Sequence, residues 1–534
     1  MNLPFPVPEK LPKGVSMPTW VVLDVQGKYP TRTPGNPVLA AMQRTDSLES
    51  FDRRIDALIR APWLHGVIVR VGELGVELAK AWHLARSLKR LSAEKRTVAF
   101  TTRLDMLTLL VASSVREVAV PESAELSVTG FTSEVTFYGA LLKKHGVRFE
   151  DVRVREYKSA LARFRQESMD AYDREQREAL LASVEASWVR DVADARGVTG
   201  DDVLAWLAEG ITSARRAREV GMVDRIAYED ELVGPATRAV ASVAPSLKPA
   251  RKASPEGRVA VVPVHGVIVP GRSRNNPVQL PLLGGPMAGA DTVVWALRRA
   301  EKDRSTRAIV LHVDSPGGSA LASDLIWREV QRCRKPVVAV FGDVAASGGY
   351  YVSAGADRIV AAPMTITGSI GVVSGKPVLE EFNERQGINP ERVTRSAFPG
   401  LTSASRPWDE RERALMEQAV QEIYERFTAR VAEGRGMTRD AVDAIGRGRV
   451  WSGADALDLG LVDELGDVNT GVERACELAG LPFGAPSWTV EVRGRLELPD
   501  VTEPAASVLS GGLPVSLLRE RAWVWLDAAW RVRG

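Results

Sequence analysis

Ser347 lies in the stretch ASGGYY (345–350), where a serine is followed directly by two glycines. A β-rich run comes before it, and a run of small residues that predicts a helix comes after it. Glycines permit a tight turn beside a nucleophile, and a backbone N–H next to the serine can face a developing oxyanion. The pattern is typical of a serine that attacks a carbonyl, so Ser347 is our candidate nucleophile.

A second glycine pair, Gly317 and Gly318, lies in HVDSPGGSALASD (312–324) and also follows a strand-like run. In an open α/β sheet, ligand sites form at the carboxyl ends of the strands. We therefore expect both glycine pairs to line one crevice, with the N–H groups of Gly317 and Gly318 opposite Ser347. A helix that begins near Ser319 would direct its positive N-terminal end to the same place.

A serine hydroxyl is a poor nucleophile without a base, and no histidine lies within thirty residues of Ser347. His265 and His312 lie in apolar strands and are interpreted as core or strand-end residues, although a Ser-His-Asp arrangement stays open at this point. The other base that can activate a serine is a neutral lysine amine. Since an unperturbed lysine has a pKa of about 10.4, burial or neighbouring positive charge must lower that pKa substantially.

The two halves of the chain share short segments in the same order at a nearly constant offset. VVLDVQG (21–27) resembles AVVPVHG (260–266), and GMVDRI (221–226) resembles GLVDEL (460–465), both at an offset of 239. Chance similarity would not keep this register over so long a span. The pattern therefore indicates duplication of a unit of about 220 residues.

Within each copy, short β-rich runs alternate with amphipathic helical patterns, which predicts a mainly parallel sheet covered by helices. The fold class is therefore α/β, built twice in tandem. We predict a Pro-rich N-terminal extension (1–19), two repeats (20–241 and 258–482), a linker between them (242–257) and a C-terminal tail (483–534).

The two copies differ where the candidate chemistry lies. The second copy has both glycine motifs, and the first has RVGELGVELAKAW (70–82) and TTRLDMLTLL (101–110) in their places. A Gly-Gly pair after a strand is often only a turn, but glycines that served the fold alone would be needed in both copies. The difference therefore favours a functional role for the two motifs.

The first copy contains a candidate base, Lys158, in VRVREYKSALARF (152–164). The corresponding stretch of the second copy, ERVTRSAFPGLTSASRPW (391–408), contains no lysine. From the residues alone, Lys158 is one candidate among several lysines. Four neighbouring arginines are expected to help lower its pKa: Arg153, Arg155, Arg163 and Arg165.

Four motifs occur together in this duplicated chain: DSPGG (314–318), ASGGYY, TGSIGV (367–372) and YKSA (157–160). Their combination closely resembles the long, tandem form of the signal peptide peptidase A (SppA) family, from about residue 20 to about residue 480. The resemblance implies a ClpP/crotonase-like fold in both repeats and a serine peptidase with a Ser/Lys dyad. It also implies that the serine comes from the C-terminal repeat and the lysine from the N-terminal repeat.

By these motifs, Ser347 is implied to be the nucleophile and Lys158 the general base. Gly318 and Gly348 would supply the N–H groups of the oxyanion hole, and the hydroxyl of Ser369 would orient the lysine amine. The family further implies remnant signal peptides and other short or unfolded apolar segments as substrates. It also implies a homo-oligomer, with a tetramer favoured, and no metal or organic cofactor.

Two other functions stay open. A catalytically inactive protein of the same fold would bind peptides or assemble at membranes without turnover. A crotonase-like acyl-CoA enzyme would use paired glycine N–H groups around a thioester oxyanion, and it would not need Ser347 as a nucleophile.

The composition limits the remaining classes. The chain has 534 residues, of which 45% are hydrophobic and 26% are charged, the balance of a globular protein. A net charge of +2 gives no reason to expect nucleic acid as a partner. Two cysteines, Cys333 and Cys476, cannot build a disulfide framework, and no Cys/His cluster has metal-ligand spacing.

The N-terminal stretch lacks the apolar segment of a secretory signal, and no run of eighteen apolar residues predicts a transmembrane helix. We expect a cytoplasmic or peripherally membrane-associated protein, while the family resemblance keeps the periplasmic face of a membrane open. The Trp- and Arg-rich segment 513–534 predicts an amphipathic helix that either lies in a membrane interface or docks on protein.

Overall fold

The computed structural model describes most of the chain. The described residues are 19–31, 46–233, 237–243, 247, 256–276, 285–395, 398, 400–490, 495–496 and 523–525. They form two compact units, one drawn from 1–132 and 185–252 and the other from 133–184 and 253–531. Apart from Thr19, the predicted N-terminal extension lies outside the described residues, as does most of the predicted linker.

The first unit contains a six-stranded sheet in which every neighbouring pair is parallel. Its strands are β1 (Trp20–Gly27), β2 (Gly66–Leu74), β3 (Arg96–Phe100), β5 (Glu117–Val120), β8 (Arg225–Ile226) and β9 (Thr237–Ala239). They lie in the order β8-β5-β3-β2-β1-β9. Two short strands, β4 (Arg103–Leu104) and β6 (Glu125–Leu126), pair with each other.

The longer helices of the first unit form where apolar residues recur every three or four positions, and short helices connect them to the strands. They are α1 (Leu48–Ile59), α2 (Leu78–Glu94), α3 (Met106–Ser113), α7 (Gly200–Glu209), α8 (Ala214–Glu219), α9 (Glu229–Leu232) and α10 (Val240–Val243). Helix α1 is typical: Phe51, Ile55 and Leu58 are buried along one face, and the Ser47 hydroxyl accepts the N–H of Ser50 at 3.1 Å as an N-cap.

The second unit contains two sheets of eight strands. The core sheet consists of β10 (Arg258–His265), β14 (Thr306–Ser315), β16 (Val337–Ala346), β17 (Arg358–Ala361), β18 (Ile366–Gly368), β20 (Val450–Ser452), β21 (Glu464–Leu465) and β22 (Ser487–Thr489). Its pairs are parallel except β18 with β20.

The second sheet of this unit, the mixed sheet, contains both parallel and antiparallel pairs. Its strands are β7 (Arg148–Arg153), β11 (Val267–Val269), β12 (Arg274–Asn276), β13 (Gly285–Gly289), β15 (Gly317–Ser319), β19 (Val373–Val378), β23 (Arg495–Leu496) and β24 (Trp523–Trp525). They lie in the order β23-β12-β13-β11-β15-β24-β19-β7.

Ten helices among the described residues belong to the second unit alone. They are α4 (Gly139–Lys144), α5 (Ala162–Arg165), α11 (Ala290–Lys302), α12 (Ala320–Arg332), α13 (Gly348–Ser353), α14 (Glu380–Gln386), α15 (Glu410–Arg435), α16 (Arg439–Ile445), α17 (Gly453–Asp458) and α18 (Val468–Leu478). Helix α6 (Ala171–Arg196) has residues in both units. Across the described ranges, no helix combines the length and the apolar composition that a membrane span needs.

Strand β14 shows how the core sheet is covered on both faces. Ile309, Leu311 and Val313 are buried in one apolar cluster, whereas Ala308 and Val310 are buried in another. Successive side chains of a strand point to opposite faces. Residues of α11 and α12 complete the first cluster and residues of α18 the second, which confirms the predicted α/β class.

The sheet of the first unit and the core sheet repeat one strand order. The order β8-β5-β3-β2-β1-β9 corresponds to β21-β17-β16-β14-β10-β22. The two copies also share an ion pair in which the arginine is the last residue of a helix. Arg196 pairs with Asp224 at 2.7 Å, and Arg435 pairs with Asp463 at 2.7 Å. These correspondences confirm that the chain is a tandem repeat.

The compact units divide the chain differently from the predicted domain boundaries. Strand β7, which the sequence assigns to the first repeat, pairs antiparallel with β19 of the second repeat over six positions. Residues 133–184 therefore belong to the same compact unit as the second repeat. The predicted domain boundaries remain a prediction of where each duplicated copy begins and ends, and the compact units of the folded chain have different boundaries.

The helical prediction for the tail is wrong at Trp523–Trp525, which form strand β24. Aromatic and β-branched residues favour strands, and the backbone of β24 pairs with both β15 and β19. The rest of the predicted helix, 513–534, lies outside the described residues.

Candidate active site

Ser347 lies at the sharp turn between β16 and α13, as the glycine pattern predicts. Its φ of 55° and ψ of −115° lie in a region that L-residues rarely adopt. The Ser347 N–H donates to the carbonyl of Gly368 at 2.8 Å, and the residue is fully buried. The strained turn thus fixes the serine between the end of β16 and the end of β18.

Two tyrosines anchor the helix that follows the serine. The Tyr350 hydroxyl donates to the carbonyl of Leu461 at 2.8 Å, and the Tyr351 hydroxyl donates to Asp324 Oδ1 at 2.7 Å. Both rings are buried in the main apolar cluster of the second unit. The YY of ASGGYY therefore holds α13, and with it the position of Ser347.

Lys158 reaches Ser347 inside the second unit. Its Nζ lies 2.7 Å from Ser347 Oγ, 2.9 Å from Ser369 Oγ and 3.0 Å from the Ser369 carbonyl oxygen. The lysine is only 2% exposed. The structure therefore brings together three of the residues that the motifs single out.

Burial lowers the pKa of Lys158 well below its ordinary range. A neutral amine has two N–H donors and one lone pair. The two oxygen atoms of Ser369 can accept both N–H groups, which leaves the lone pair for the hydroxyl of Ser347. The three contacts thus match the hydrogen-bonding capacity of a neutral lysine.

The expectation that neighbouring arginines lower the pKa of Lys158 is wrong, because burial alone accounts for the shift. Arg153, Arg155 and Arg165 are paired with carboxylates, Asp170, Asp443 and Asp151 respectively. Arg163 lies over the ring of Tyr138 at 5.0 Å. Three of the four charges are therefore paired with carboxylates, and none of the four contributes to the shift.

Gly318 and Gly348 lie on the two elements that flank the serine. Gly348 is the first residue of α13, where the N–H groups have no acceptor within their own helix. Gly318 has a φ of 157°, and a Cβ there would lie 2.0 Å from the carbonyl oxygen of Ile268. Only glycine fits this position. Helix α12 begins at Ala320 with Ser319 as its N-cap, as predicted.

The loop 446–449 ties the lysine segment to the Ser369 segment, and the motifs did not single it out. Tyr157 N–H donates to the carbonyl of Arg447 at 3.3 Å, and Gly448 N–H donates to that of Ile370 at 2.8 Å. Ser369 N–H donates to the carbonyl of Arg449 at 2.7 Å. A Cβ on Gly448 would lie 2.7 Å from Lys158 N and Cβ.

A comparison of the two copies could have found this loop. At the offset of 239, GRGRV (446–450) of the second copy corresponds to LAEGI (207–211) of the first copy. Gly446 and Gly448 are therefore absent from the first copy, as the two glycine motifs are.

Helix α6 supports the lysine segment from the other side through a buried polar cluster. Ser159 Oγ donates to Asp173 Oδ1 at 2.9 Å, and Arg177 pairs with the same carboxylate at 3.0 Å. Gln176 Nε2 donates to the carbonyl of Tyr157 at 3.1 Å. These contacts satisfy the polar groups on both sides of Lys158.

The histidines that were the alternative bases contact each other. His265 Nε2 lies 2.6 Å from His312 Nδ1, at and near the carboxyl ends of β10 and β14. The nitrogen that lies within hydrogen-bond distance of Ser347 Oγ is that of Lys158. Within the described ranges, no group of three His, Cys, Asp or Glu side chains is placed to hold a metal ion.

Two family models match this chain. A family model described as Peptidase family S49 matches residues 89–242 and 329–482, and one described as Clp protease matches residues 286–367. The Arabidopsis thaliana protein named "Serine protease SPPA, chloroplastic" is 29% identical over 470 residues, which cover 84% of this chain and 68% of that protein. Protease 4 of Haemophilus influenzae is 30% identical over 411 residues, covering 72% of this chain and 65% of that protein.

The chain therefore spans about two thirds of the length of these two relatives. The solved structure of a ClpP1 mutant from Listeria monocytogenes aligns with 40% of this chain and 94% of its own, with 19% identity and a TM-score of 0.26.

The α/β fold and the two matched copies define the class of the protein as a serine peptidase. The chain belongs to peptidase family S49. This confirms the resemblance drawn from the four motifs, and the Clp protease match confirms the ClpP-like fold expected for the second repeat.

Proposed function

We propose that this peptidase is an endopeptidase that cleaves short or unfolded apolar peptides, remnant signal peptides among them, through an acyl-enzyme on Ser347. The observation that supports this most directly is the 2.7 Å distance between the buried Lys158 Nζ and Ser347 Oγ. The printed names of the relatives, a serine protease and a Protease 4, agree with proteolysis. The substrate class follows from the family resemblance.

In the first half of the reaction, Ser347 Oγ attacks the scissile carbonyl carbon while the lone pair of neutral Lys158 accepts the hydroxyl proton. The carbonyl oxygen becomes an oxyanion, which the N–H groups of Gly318 and Gly348 stabilise. The Lys158 ammonium then protonates the leaving amine as the C–N bond breaks. The product of this half is an ester between the peptide and Ser347.

In the second half, Lys158 deprotonates a water molecule that attacks the ester carbon. The same two N–H groups stabilise the second oxyanion, and the proton returns to Ser347 Oγ as the acid product leaves. Ser369 is a positioning residue in both halves. Its two oxygen atoms accept the lysine N–H groups, so the lone pair stays directed at Ser347.

The test is cleavage of a fluorogenic apolar peptide by the wild-type chain and by Ser347→Ala and Lys158→Ala. Removal of a general base costs about 10²–10⁴-fold in rate, so both variants should lose activity by at least that range while they stay folded by circular dichroism. Lys335→Ala is the matched control, because the Lys335 amine also donates to backbone carbonyls, those of Ala300 and Asp303. It should keep wild-type activity.

A folded Lys158→Ala variant that cleaves at the wild-type rate would overturn the dyad. Assembly, membrane contact and compartment rest on the resemblance and stay predictions: a homo-oligomer with a tetramer favoured, peripheral membrane contact through the tail, and a cytoplasmic or membrane-face location.

A further inference from the structure

The backbone around Lys158 is strained at two places outside the proposed dyad. Within the part of the chain that the structure describes, four residues other than glycine have a positive φ: Arg155 (66°), Ser347 (55°), Ser369 (51°) and Arg447 (54°). Arg155 lies three residues before Lys158, and Arg447 belongs to the loop 446–449 that contacts the lysine segment. Such conformations are unfavourable for L-residues and persist only where surrounding contacts hold them. The contacts that hold the two arginines therefore call for a function.

Two crossed ion pairs join the lysine segment to the loop 446–449 and the helix before it. Arg155 Nε and Nη2 donate to Oδ1 and Oδ2 of Asp443, in α16, at 3.2 and 3.3 Å. The next residue of the lysine segment, Glu156, pairs with Arg447. Each strained arginine therefore binds a carboxylate on the opposite segment.

A buried tyrosine of α15 connects the two ion pairs. Tyr424 is 3% exposed, and its hydroxyl donates to Asp443 Oδ1 at 2.6 Å and accepts the N–H of Arg447 at 3.3 Å. Burial, and then the hydrogen bond to Asp443, raises the pKa of Tyr424 above its ordinary value, so the hydroxyl stays protonated and donates. The carbonyl of Arg447 in turn accepts the N–H of Tyr157. The hydrogen bonds thus form a closed circuit around Asp443.

This circuit ends at Tyr157, directly before the proposed base. A lysine side chain is a flexible four-carbon stem, so its amine keeps a fixed position only if the backbone at its start is fixed. The Lys158 amine lies 2.7 Å from Ser347 Oγ, and proton transfer depends on that distance. The contacts of Asp443 therefore act on the reaction through the backbone of the lysine segment.

We propose that Asp443 is a positioning residue for the reaction: it holds the strained turn at Arg155 and thereby the backbone from which Lys158 reaches Ser347. The proposal rests on the proposed function, in which Lys158 is the base. It also gives Arg155 a role, because its charge binds the carboxylate that fixes the lysine segment.

The exposure of the ion pair separates this role from a role in stability. The side chains of Arg155 and Asp443 are 45% and 32% exposed, and ion pairs this exposed contribute little to the stability of a fold. A large effect of their removal on kcat would therefore come from the position of the lysine.

The experiment measures kcat and KM for cleavage of a fluorogenic apolar peptide by full-length variants, with thermal unfolding as the check that each is folded. A misplacement of about 1 Å can cost about 10²-fold in rate, and a smaller shift costs less. We expect kcat to fall about tenfold in Asp443→Ala with KM unchanged. Arg155→Ala should act in the same direction but less, because the hydrogen bond from Tyr424 to Asp443 remains.

Two further variants sharpen the test. The double variant Arg155→Ala/Asp443→Ala should lose no more activity than Asp443→Ala, because both single changes remove the same ion pair. Tyr424→Phe removes only the hydroxyl that connects Asp443 to Arg447, so it should lower kcat without changing KM.

Glu209→Ala is the matched control. Glu209 accepts Nε and Nη2 of Arg216 at 2.7 and 3.0 Å in the same fork geometry, and the side chains of Arg216 and Glu209 are 46% and 43% exposed. This ion pair lies in the first unit, so its loss should leave both kcat and KM at their wild-type values.

Wild-type kcat in a folded Asp443→Ala chain, a change in KM alone, or additive losses in the double variant would overturn the proposal. If Asp443→Ala does not fold, Tyr424→Phe decides by the same two constants. Lys158→Ala, measured beside them, judges the proposed function separately. An inactive Lys158→Ala with a fully active Asp443→Ala would refute the positioning role alone, whereas a fully active Lys158→Ala would refute the dyad.

Discussion

Gly448 offers a test of the geometry around Lys158 that leaves both proposed catalytic side chains in place. A Cβ added at Gly448 would lie 2.7 Å from Lys158 N and Cβ, whereas ordinary Cβ contacts begin at 3.4 Å. The lysine segment or the loop 446–449 must therefore move by about 0.7 Å, the difference between these two distances. If the lysine segment moves by that amount directly away from the serine, Nζ goes from 2.7 Å to about 3.4 Å from Ser347 Oγ. This is beyond the range in which a base accepts a proton directly.

A misplacement of about 1 Å can cost about 10²-fold in rate. We therefore expect Gly448→Ala to lower kcat by that order with little change in KM, because the lysine acts on the serine and does not bind the substrate. Alanine at a positive φ also costs about 1–2 kcal/mol of stability, so the effect on activity must be separated from the effect on folding.

Gly436→Ala is the matched control. Gly436 also has a positive φ, 64° against 82° for Gly448, but a Cβ there would meet nothing within 4 Å. Gly436→Ala should lower the melting temperature through its positive φ alone, and Gly448→Ala should lower it at least as much, because its Cβ also clashes with Lys158. Only Gly448→Ala should lose activity. The assay is cleavage of a fluorogenic apolar peptide, with thermal unfolding of each variant. Wild-type activity of Gly448→Ala, or an equal loss of activity in Gly436→Ala, would show that the close contact between Gly448 and Lys158 does not position the lysine.

Two further predictions concern the hydrogen bonds and the charge of the lysine. Ser369→Ala removes one of the two acceptors of the lysine N–H groups, so kcat should fall by roughly 5–30-fold, the equivalent of about 1–2 kcal/mol for a buried donor left unpaired. An unchanged kcat would show that the carbonyl of Ser369 alone positions the amine. Lys158→Met tests the lowered pKa of the lysine. At pH values between that lowered pKa and the ordinary lysine pKa of about 10.4, Lys158 is neutral in the folded chain and protonated in the unfolded chain. Because the unfolded chain then binds more protons, the free energy of unfolding of the wild type rises with pH. Relative to the wild type, the Met variant should therefore be most stable at low pH and lose that advantage towards pH 10, as measured by thermal unfolding; a difference independent of pH would mean that the lysine has an ordinary pKa.

The copy-to-copy differences were enough to favour Ser347, but they left Lys158 as one candidate among several lysines, and the resemblance of the four motifs to the SppA family was needed to pair the two residues. The α/β class could be predicted from the pattern within each copy, since nearly continuous apolar strands such as β14 alternate with amphipathic helices. The packing partner of the lysine segment could not be predicted in this way. Strand β7 pairs with β19, more than two hundred residues away, and nothing in its sequence identifies that edge.

The cause of the lowered lysine pKa also lay beyond the sequence. Four arginines are close to Lys158 along the chain, but Arg155, for example, pairs with Asp443 at 3.2 Å. Proximity in sequence does not reveal which charges are neutralised, whereas burial, the actual cause, depends on the whole fold. The tail strand was missed for a similar reason. The residues around Trp523–Trp525 suit an amphipathic helix, whereas these three residues themselves favour a strand and pair with β15 and β19.

If a neutral Lys158 activates Ser347, as we propose, the lysine should control the rate at which a fluorophosphonate labels the serine covalently. The rate is measured from about pH 5 to about pH 10 in the wild-type chain and in Lys158→Met, and the labelled residue is mapped by mass spectrometry. We expect labelling at Ser347 with a rate that rises with pH through a pKa well below the ordinary lysine value of about 10.4, and almost no labelling of Lys158→Met. Labelling of both chains at the same rate and with the same pH profile, or no labelling of Ser347 in the wild type, would show that Lys158 does not activate Ser347.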